Sequence, residues 1–170
     1  GLLVYNAAFV VPGAFLERPL AEHLDSLAVN CRGAVCLAHH FGRAMAARGR
    51  GGILLMTSGA AFAGAGHIAS YAASKAFDLV LGEGLWAELA PRGVDVLSLI
   101  AGATNTPHTL ATGLDFAKMG GPVMQPEEVV REAFDQLGSG PSHIAGEHNR
   151  VMLGAIGQAP RRAVVEAMTA

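Results

Sequence analysis

The chain has 170 residues, 51% of them hydrophobic and 15% charged, with a formal net charge of −2. That length suffices for one sizeable core and that composition excludes disorder. The small charge supplies neither the basic footprint of a nucleic-acid binder nor a polybasic membrane anchor, so neither partner is expected.

Taken in chain order, Leu2 to Tyr5 is a short apolar run and reads as a strand. The opening stretch to Leu16 has no basic leader and contains Asn6, Pro12 and Gly13, so it reads as neither a signal peptide nor a membrane span. Leu20 to about Arg48 is a helical region, longer than usual and bounded by Gly49-Arg50-Gly51-Gly52. Cys31 and Cys36 lie five apart on it and do not face each other well; no disulfide is expected, which favours a reducing, cytoplasmic compartment. Ile53 to Thr57 is the second strand, and Ser70 to Leu89 a second long helix stopped by Pro91-Arg92-Gly93. Val94 to Ile100 has the aliphatic, β-branched character of a strand buried on both faces.

From Ala101 to Pro126 the sequence reads as a loop holding Pro107, Gly113, Gly120, Gly121 and Pro122, and a connection of that length is usually a functional lid. Pro126-Glu127-Glu128 opens a third helix, with acidic side chains at the positive end of its dipole. Ser142 to Ala145 is a short candidate strand and Pro160 to Met168 a last helix. Apolar runs alternating with amphipathic stretches define an α/β fold in a single domain, residues 1–170. The 7 histidines show no metal-ligand spacing, and no metal is expected.

The chemistry gathers around Tyr71-Ala72-Ala73-Ser74-Lys75, with Ser58 thirteen positions before the tyrosine. A tyrosine and a lysine four apart share one helix face, where an ammonium favours the phenolate. A phenol of pKa ~10 is a poor acid or base at neutral pH, and a nearby cation brings it towards the useful range. Ser58, just past a strand, is placed to hold a substrate oxygen against that phenol. The expected geometry has both hydroxyls within about one water's reach at the carboxyl ends of a parallel sheet, with Lys75 one helical turn on.

These residues resemble the short-chain dehydrogenases/reductases, whose active site is a Tyr, a Lys and a Ser thirteen residues before the Tyr. Asn30, 28 positions before Ser58, falls where the family has its fourth catalytic residue. Asn6-Ala7-Ala8 is similar to the family's Asn-Ala-Gly turn, with Ala8 replacing the glycine. Ala101-Gly102-Ala103-Thr104-Asn105-Thr106 is similar to the Pro-Gly-x-x-x-Thr segment that receives the nicotinamide amide, with Ala101 replacing the proline. The resemblance implies a partial Rossmann-like, doubly wound parallel sheet, the catalytic C-terminal part of that fold. The family's opening strand, glycine-rich phosphate turn and helix have no counterpart here, so activity of the isolated 170 residues is not expected. Gly64-Ala65-Gly66-His67-Ile68-Ala69 fits G-x-G-x-x-A but does not follow its strand directly, and it reads as a flexible loop in the active-site wall.

The resemblance further implies NAD or NADP as cofactor, a small alcohol or ketone as substrate, and homo-oligomers formed through the two long helices. Tyr71 is then the acid/base, Lys75 lowers its pKa and holds the ribose, Ser58 orients the substrate oxygen, and Asn30 helps hold a water behind Lys75. Asn6, Ala7, Gly102, Thr104 and Thr106 join Tyr71 and Lys75 around the cofactor; Ala60 and His67 join Ser58 and Tyr71 around the substrate. Each has a plainer alternative: Asn30 as a cap or kink, Ser58 as a strand-end hydroxyl bonded to backbone, the threonines as ordinary loop residues, and His67 as a surface histidine. Two functions stand side by side, an NAD(P)-dependent alcohol/ketone oxidoreductase and a catalytically inactive remnant serving as a fold or association module. A serine hydrolase fails, because Met56 and Ala60 occupy the glycine positions of a G-x-S-x-G elbow.

Overall fold

The computed structural model describes residues 1–107, 109 and 122–169. Four strands, β1 (Leu2–Tyr5), β2 (Gly51–Ser58), β3 (Val94–Ala101) and β4 (Ser142–Ile144), pair in sequence order into one parallel sheet. Strand pairing sets Leu3 beside Ile53, Leu55 beside Ser98 and Leu99 beside His143. Because neighbouring side chains on a strand point to opposite faces, the aliphatic runs of β2 and β3 feed two cores at once. Ile53, Leu55, Val94 and Val96 meet Ala34, Ala38, Met45 and Leu89 from the helices on one face. On the other, Leu54, Leu97 and Leu99 meet Val129 and Ala133.

The helices are α1 (Leu20–Leu27), α2 (Gly33–Ala47), α3 (Ala69–Leu89), α4 (Pro126–Gln136), α5 (Glu147–Ile156) and α6 (Arg161–Ala167), of which α2, α3 and α4 supply those residues. Between α1 and α2 the backbone widens into a single π turn, Ala28–Arg32, so the expected long helix is continuous in direction but loosened around Asn30. Such turns are rare inside helices and concentrate at functional sites. The fit of α3 to the sheet depends on Gly82, where a Cβ would meet the Ser98 hydroxyl at 2.0 Å.

The expected strands and helices are present, with strand β2 longer at both ends and β3 reaching Ala101. Helix α5 was not expected; its polar opening, Glu147-His148-Asn149-Arg150, hides an amphipathic turn behind loop-like residues. Most of the expected lid between Thr106 and Pro126, including Gly113, Gly120 and Gly121, lies outside the described residues.

Glu132 on α4 ties these late elements together. Its carboxylate accepts from His143 Nε2 of β4 at 2.9 Å, from the Gly146 amide at 3.1 Å and from Arg150 of α5 at 2.9 Å. Partial burial raises its pKa, but the hydrogen bonds from His143, Gly146 and Arg150 outweigh that and hold it below the ordinary glutamate value. A depressed carboxyl contributes stability in full above its ordinary value of 4.5 and loses it as pH falls through the lower folded value. Glu132→Gln is therefore expected to cost about 0.5–1 kcal/mol at neutral pH, the low figure reflecting solvent at the half-exposed Arg150. Urea unfolding of both proteins from pH 7 to pH 3 should show the gap narrowing.

Candidate active site

All four strands run the same way, so the residues that follow β1, β2 and β3 gather along one edge of the sheet. Ser58 ends β2 and begins a tight turn, Gly59–Phe62; its hydroxyl oxygen accepts from the Ala60 amide at 3.2 Å. That bond is the strand-end role set out as the alternative, and it leaves the hydroxyl proton free. Ser58 lies close enough to the Tyr71 phenol to pull its pKa down.

Tyr71 lies in the first turn of α3, packed with Ile68 and Met168 against Ala60, Ala65 and Ala72. Lys75 lies one helical turn on, with its ammonium 5.9 Å from the Tyr71 ring centre. Two contacts fix α3 against β2 at this level. The Thr57 hydroxyl donates to the Lys75 carbonyl at 2.7 Å, and Lys75 Nζ donates to the Met56 carbonyl at 2.7 Å. Lys75 Nζ also donates to Asp78 Oδ2 at 3.1 Å, inside the helix face that packs on the sheet.

The electrostatics differ from the expectation that Lys75 draws the phenol down. Burial pushes the Tyr71 pKa up from 10.0; the Ser58 hydrogen bond lowers it and the Asp78 carboxylate raises it further, for a net rise. The reason is geometric, since the Lys75 charge is turned towards Asp78 and the Met56 carbonyl. Asp78 was not singled out from the sequence, where an acid three positions after a lysine reads as a solvated helix pair.

Asn30 is fully buried, and its side chain is consumed by other partners. Its Oδ1 accepts from the Phe9 amide at 2.7 Å, while Nδ2 donates to the Phe9 carbonyl at 3.0 Å and to Ser74 Oγ at 2.8 Å. Ser26 Oγ donates to the same Phe9 carbonyl at 2.7 Å. The side chain therefore clamps the loop after β1 to α3, rather than reaching towards Lys75. A second clamp, also not anticipated, is the buried His23, bonded to Ser70 Oγ at 2.6 Å and to the Phe15 carbonyl at 3.1 Å. Both hold the start of α3, and with it Tyr71.

Asn6 and Ala7 are exposed just past β1, and Gly102 follows β3. Gly102 has to be a glycine, because a Cβ there would sit 2.4 Å from Nδ2 of the buried Asn149. Thr104 pairs with Met124 and its hydroxyl donates to the Gly102 carbonyl at 3.1 Å; the hydroxyls of Thr106 and Thr109 are 2.6 Å apart. Ala60 is buried beneath Tyr71. His67 is exposed, with a left-handed φ of 61°, and its carbonyl accepts from the Gly13 amide at 2.8 Å. The Gly66 amide donates to Thr169 Oγ1 at 2.9 Å, so the 64–69 segment is a wall loop tied to the C-terminal helix and not a phosphate turn. Among the described residues no group of three His, Cys, Asp or Glu side chains is placed to hold a metal ion.

A strand-end serine near the tyrosine of a Tyr-x-x-x-Lys helix, over a parallel sheet, is the arrangement the sequence led us to expect. The chain belongs to the short-chain dehydrogenases, whose family model matches residues 1–115. It is 33% identical over 150 residues to a 7beta-hydroxysteroid dehydrogenase of Clostridium sardiniense, an alignment covering 88% of this chain and 58% of that protein. A structure described as giving insights into 7beta-hydroxysteroid dehydrogenase stereoselectivity superposes with a TM-score of 0.87 at 30% identity, over 99% of this chain and 66% of that one. A short-chain dehydrogenase from Sphingobium yanoikuyae in complex with NADPH superposes at 0.80 with 26% identity, over 98% of this chain and 65% of that one. The chain thus spans less than two thirds of the length of these relatives.

The clamp gives a test of Asn30. Asn30→Ala removes the side-chain bonds to Phe9 and Ser74 and is expected to cost roughly 1–3 kcal/mol. Guanidinium unfolding would read that loss; a stability equal to wild type would refute the clamp.

Proposed function

We propose that the protein of which these residues form the catalytic part is an NAD(P)-dependent oxidoreductase interconverting a secondary alcohol and a ketone. The observation that carries this is the placement of Ser58 at the end of β2, close enough to Tyr71 to lower the phenol's pKa, with Lys75 one turn along the same helix. In oxidation Tyr71, as phenolate, takes the substrate hydroxyl proton; in reduction it returns that proton to the carbonyl oxygen. Ser58 holds the substrate oxygen at the phenol by donating its free proton. The dinucleotide, when bound, accepts or supplies the hydride at the carbinol carbon.

The residues present suit the nicotinamide and ribose end of that group. An ammonium has three N–H donors, and Lys75 spends two on Met56 and Asp78, leaving one for a ribose hydroxyl. Asn6, Ala7, Gly102, Thr104 and Thr106 edge the same end of the sheet. Hydroxysteroids are the first substrates to try, since relatives at 33% identity carry that name. A remnant without activity would have no use for a Tyr71 and Lys75 held beside Ser58 by two buried clamps. Tyr71→Phe in the intact protein is expected to lower kcat for steroid alcohol oxidation at least about 100-fold, the usual worth of a general acid/base, with circular dichroism unchanged. Wild-type turnover by that variant would overturn the assignment.

We also infer a cytoplasmic homo-oligomer that pairs through its long helices. No helix among the described residues is long and apolar enough to cross a membrane. Leu24, Val35 and Phe41 of α1 and α2, with Phe77 and Val80 of α3, are exposed although the opposite sides of these helices already face the core. A helix apolar on two sides buries the second against a partner. Light scattering of the intact protein is expected to give a multimer, which Phe41→Glu with Val80→Glu reduces towards the monomer mass.

A further inference from the structure

Asp78 is the one buried side chain among the described residues with a polar atom lacking a hydrogen bond. Its Oδ2 holds Lys75 Nζ at 3.1 Å, with the two side chains 1% and 3% exposed, while Oδ1 has no partner. A buried carboxylate is costly, and a single ion pair with one oxygen left bare does not repay it. A leucine at this helix position would pack against the sheet at lower cost. The charge is therefore placed for something other than stability, and it sits where the chemistry is.

We propose that Asp78 is a positioning residue for the acid/base pair, its carboxylate holding the Lys75 ammonium away from Tyr71 and leaving one N–H of that ammonium for ligand. This rests on the oxidoreductase reading above. With the Met56 carbonyl, Asp78 fixes two of the three N–H vectors, so the direction of the third is set by covalent geometry. Asp78 also balances the Lys75 charge. The groups facing the carboxylate are Lys75 and Tyr71 of α3, Tyr5 of β1 and Cys31 of the π turn, and it raises the pKa of both tyrosines and of the thiol. Burial pushes its own pKa up and Lys75 pulls it back. Behind it, Ser98 Oγ of β3 donates to the Asp78 and Leu79 carbonyls at 3.3 and 3.2 Å, fixing the helix turn that carries it.

The sign follows directly. Removing the carboxylate deletes a negative charge near the phenol and leaves the Lys75 charge uncompensated, and both changes favour phenolate. In Asp78→Asn the Tyr71 midpoint is expected to fall by about one pH unit, the low end of a charge effect at such range. Ring-13C tyrosine labelling of the intact protein reads it without substrate, with Tyr5→Phe and Tyr71→Phe assigning the two tyrosines of this region. The alkaline limb of kcat/KM for ketone reduction should move down by the same amount, and Asp78→Glu, which keeps the charge, should restore both.

A merely structural aspartate would lower the melting temperature without moving the phenol; that result, or equal midpoints in the Asn and Glu variants, overturns the proposal. Should Asp78→Asn not fold, the carboxyl 13C shift of Asp78 in the wild type decides, ionised at pH 7 in support and neutral at pH 7 against. If the wild type transfers no hydride to any ketone, the reaction reading fails, and the phenol titration still judges Asp78.

Discussion

The attachment of α3 to the carboxyl end of β2 is the contact on which the site depends. Thr57 and Met56 are the last inward residues of the strand before Ser58, and they bind the Lys75 carbonyl and the Lys75 ammonium respectively. Strand and helix are thereby locked at one level, which brings the hydroxyl that ends β2 to the phenol of the first turn of α3. A slip of one residue in β2 would exchange its two faces, turning Thr57 away from the helix. Pairing of β2 with β1 and β3 on both sides makes that slip expensive, so the central strand carries the geometry of the catalytic groups.

Around this attachment, buried polar side chains do the work that a larger apolar core does elsewhere. Asn30 and Ser26 hold Phe9, Ser74 holds Asn30, and His23 holds Ser70. They come from three elements: the π turn, α1, and the start of α3. Together they draw the loop after β1 to the helix that carries Tyr71. A satisfied buried network specifies one arrangement, because any other leaves amides unpaired at a cost of kilocalories. The π turn belongs to the same economy, since widening the helix at Ala28–Arg32 is what lets a fully buried Asn30 face both Phe9 and Ser74.

The chain keeps its catalytic groups close to the sheet and its apolar surplus away from it. Small residues, Ala60, Ala65 and Ala72, pave the floor under Tyr71, while Met168 and Thr169 at the C-terminal end close over the wall loop. The exposed apolar sides of α1, α2 and α3 lie on the outer side of the same helices.

Much of this was legible in the sequence. The alternation of aliphatic runs and long helices is a local property of the chain, and it marked the four strands, the two long helices and the helix opening at Pro126 to within a few residues. The spacing of Ser58, Tyr71 and Lys75 is also local, since a strand end and one helical turn set it. What needed the folded molecule was every relation between segments far apart in sequence. Asn30 reads as a fourth active-site residue by spacing, yet its side chain binds Phe9 and Ser74, partners 21 and 44 residues away. Asp78 reads as a surface charge, and only the packing of α3 on β2 and β3 buries it beside Lys75. Composition and periodicity determined which segments become strands and helices, because hydrogen bonding within an element and its buried face are written along the chain. Tertiary structure alone decided the direction of the Lys75 charge and the burial that raises the Tyr71 pKa, because burial and the distance between charges arise only when separate elements meet.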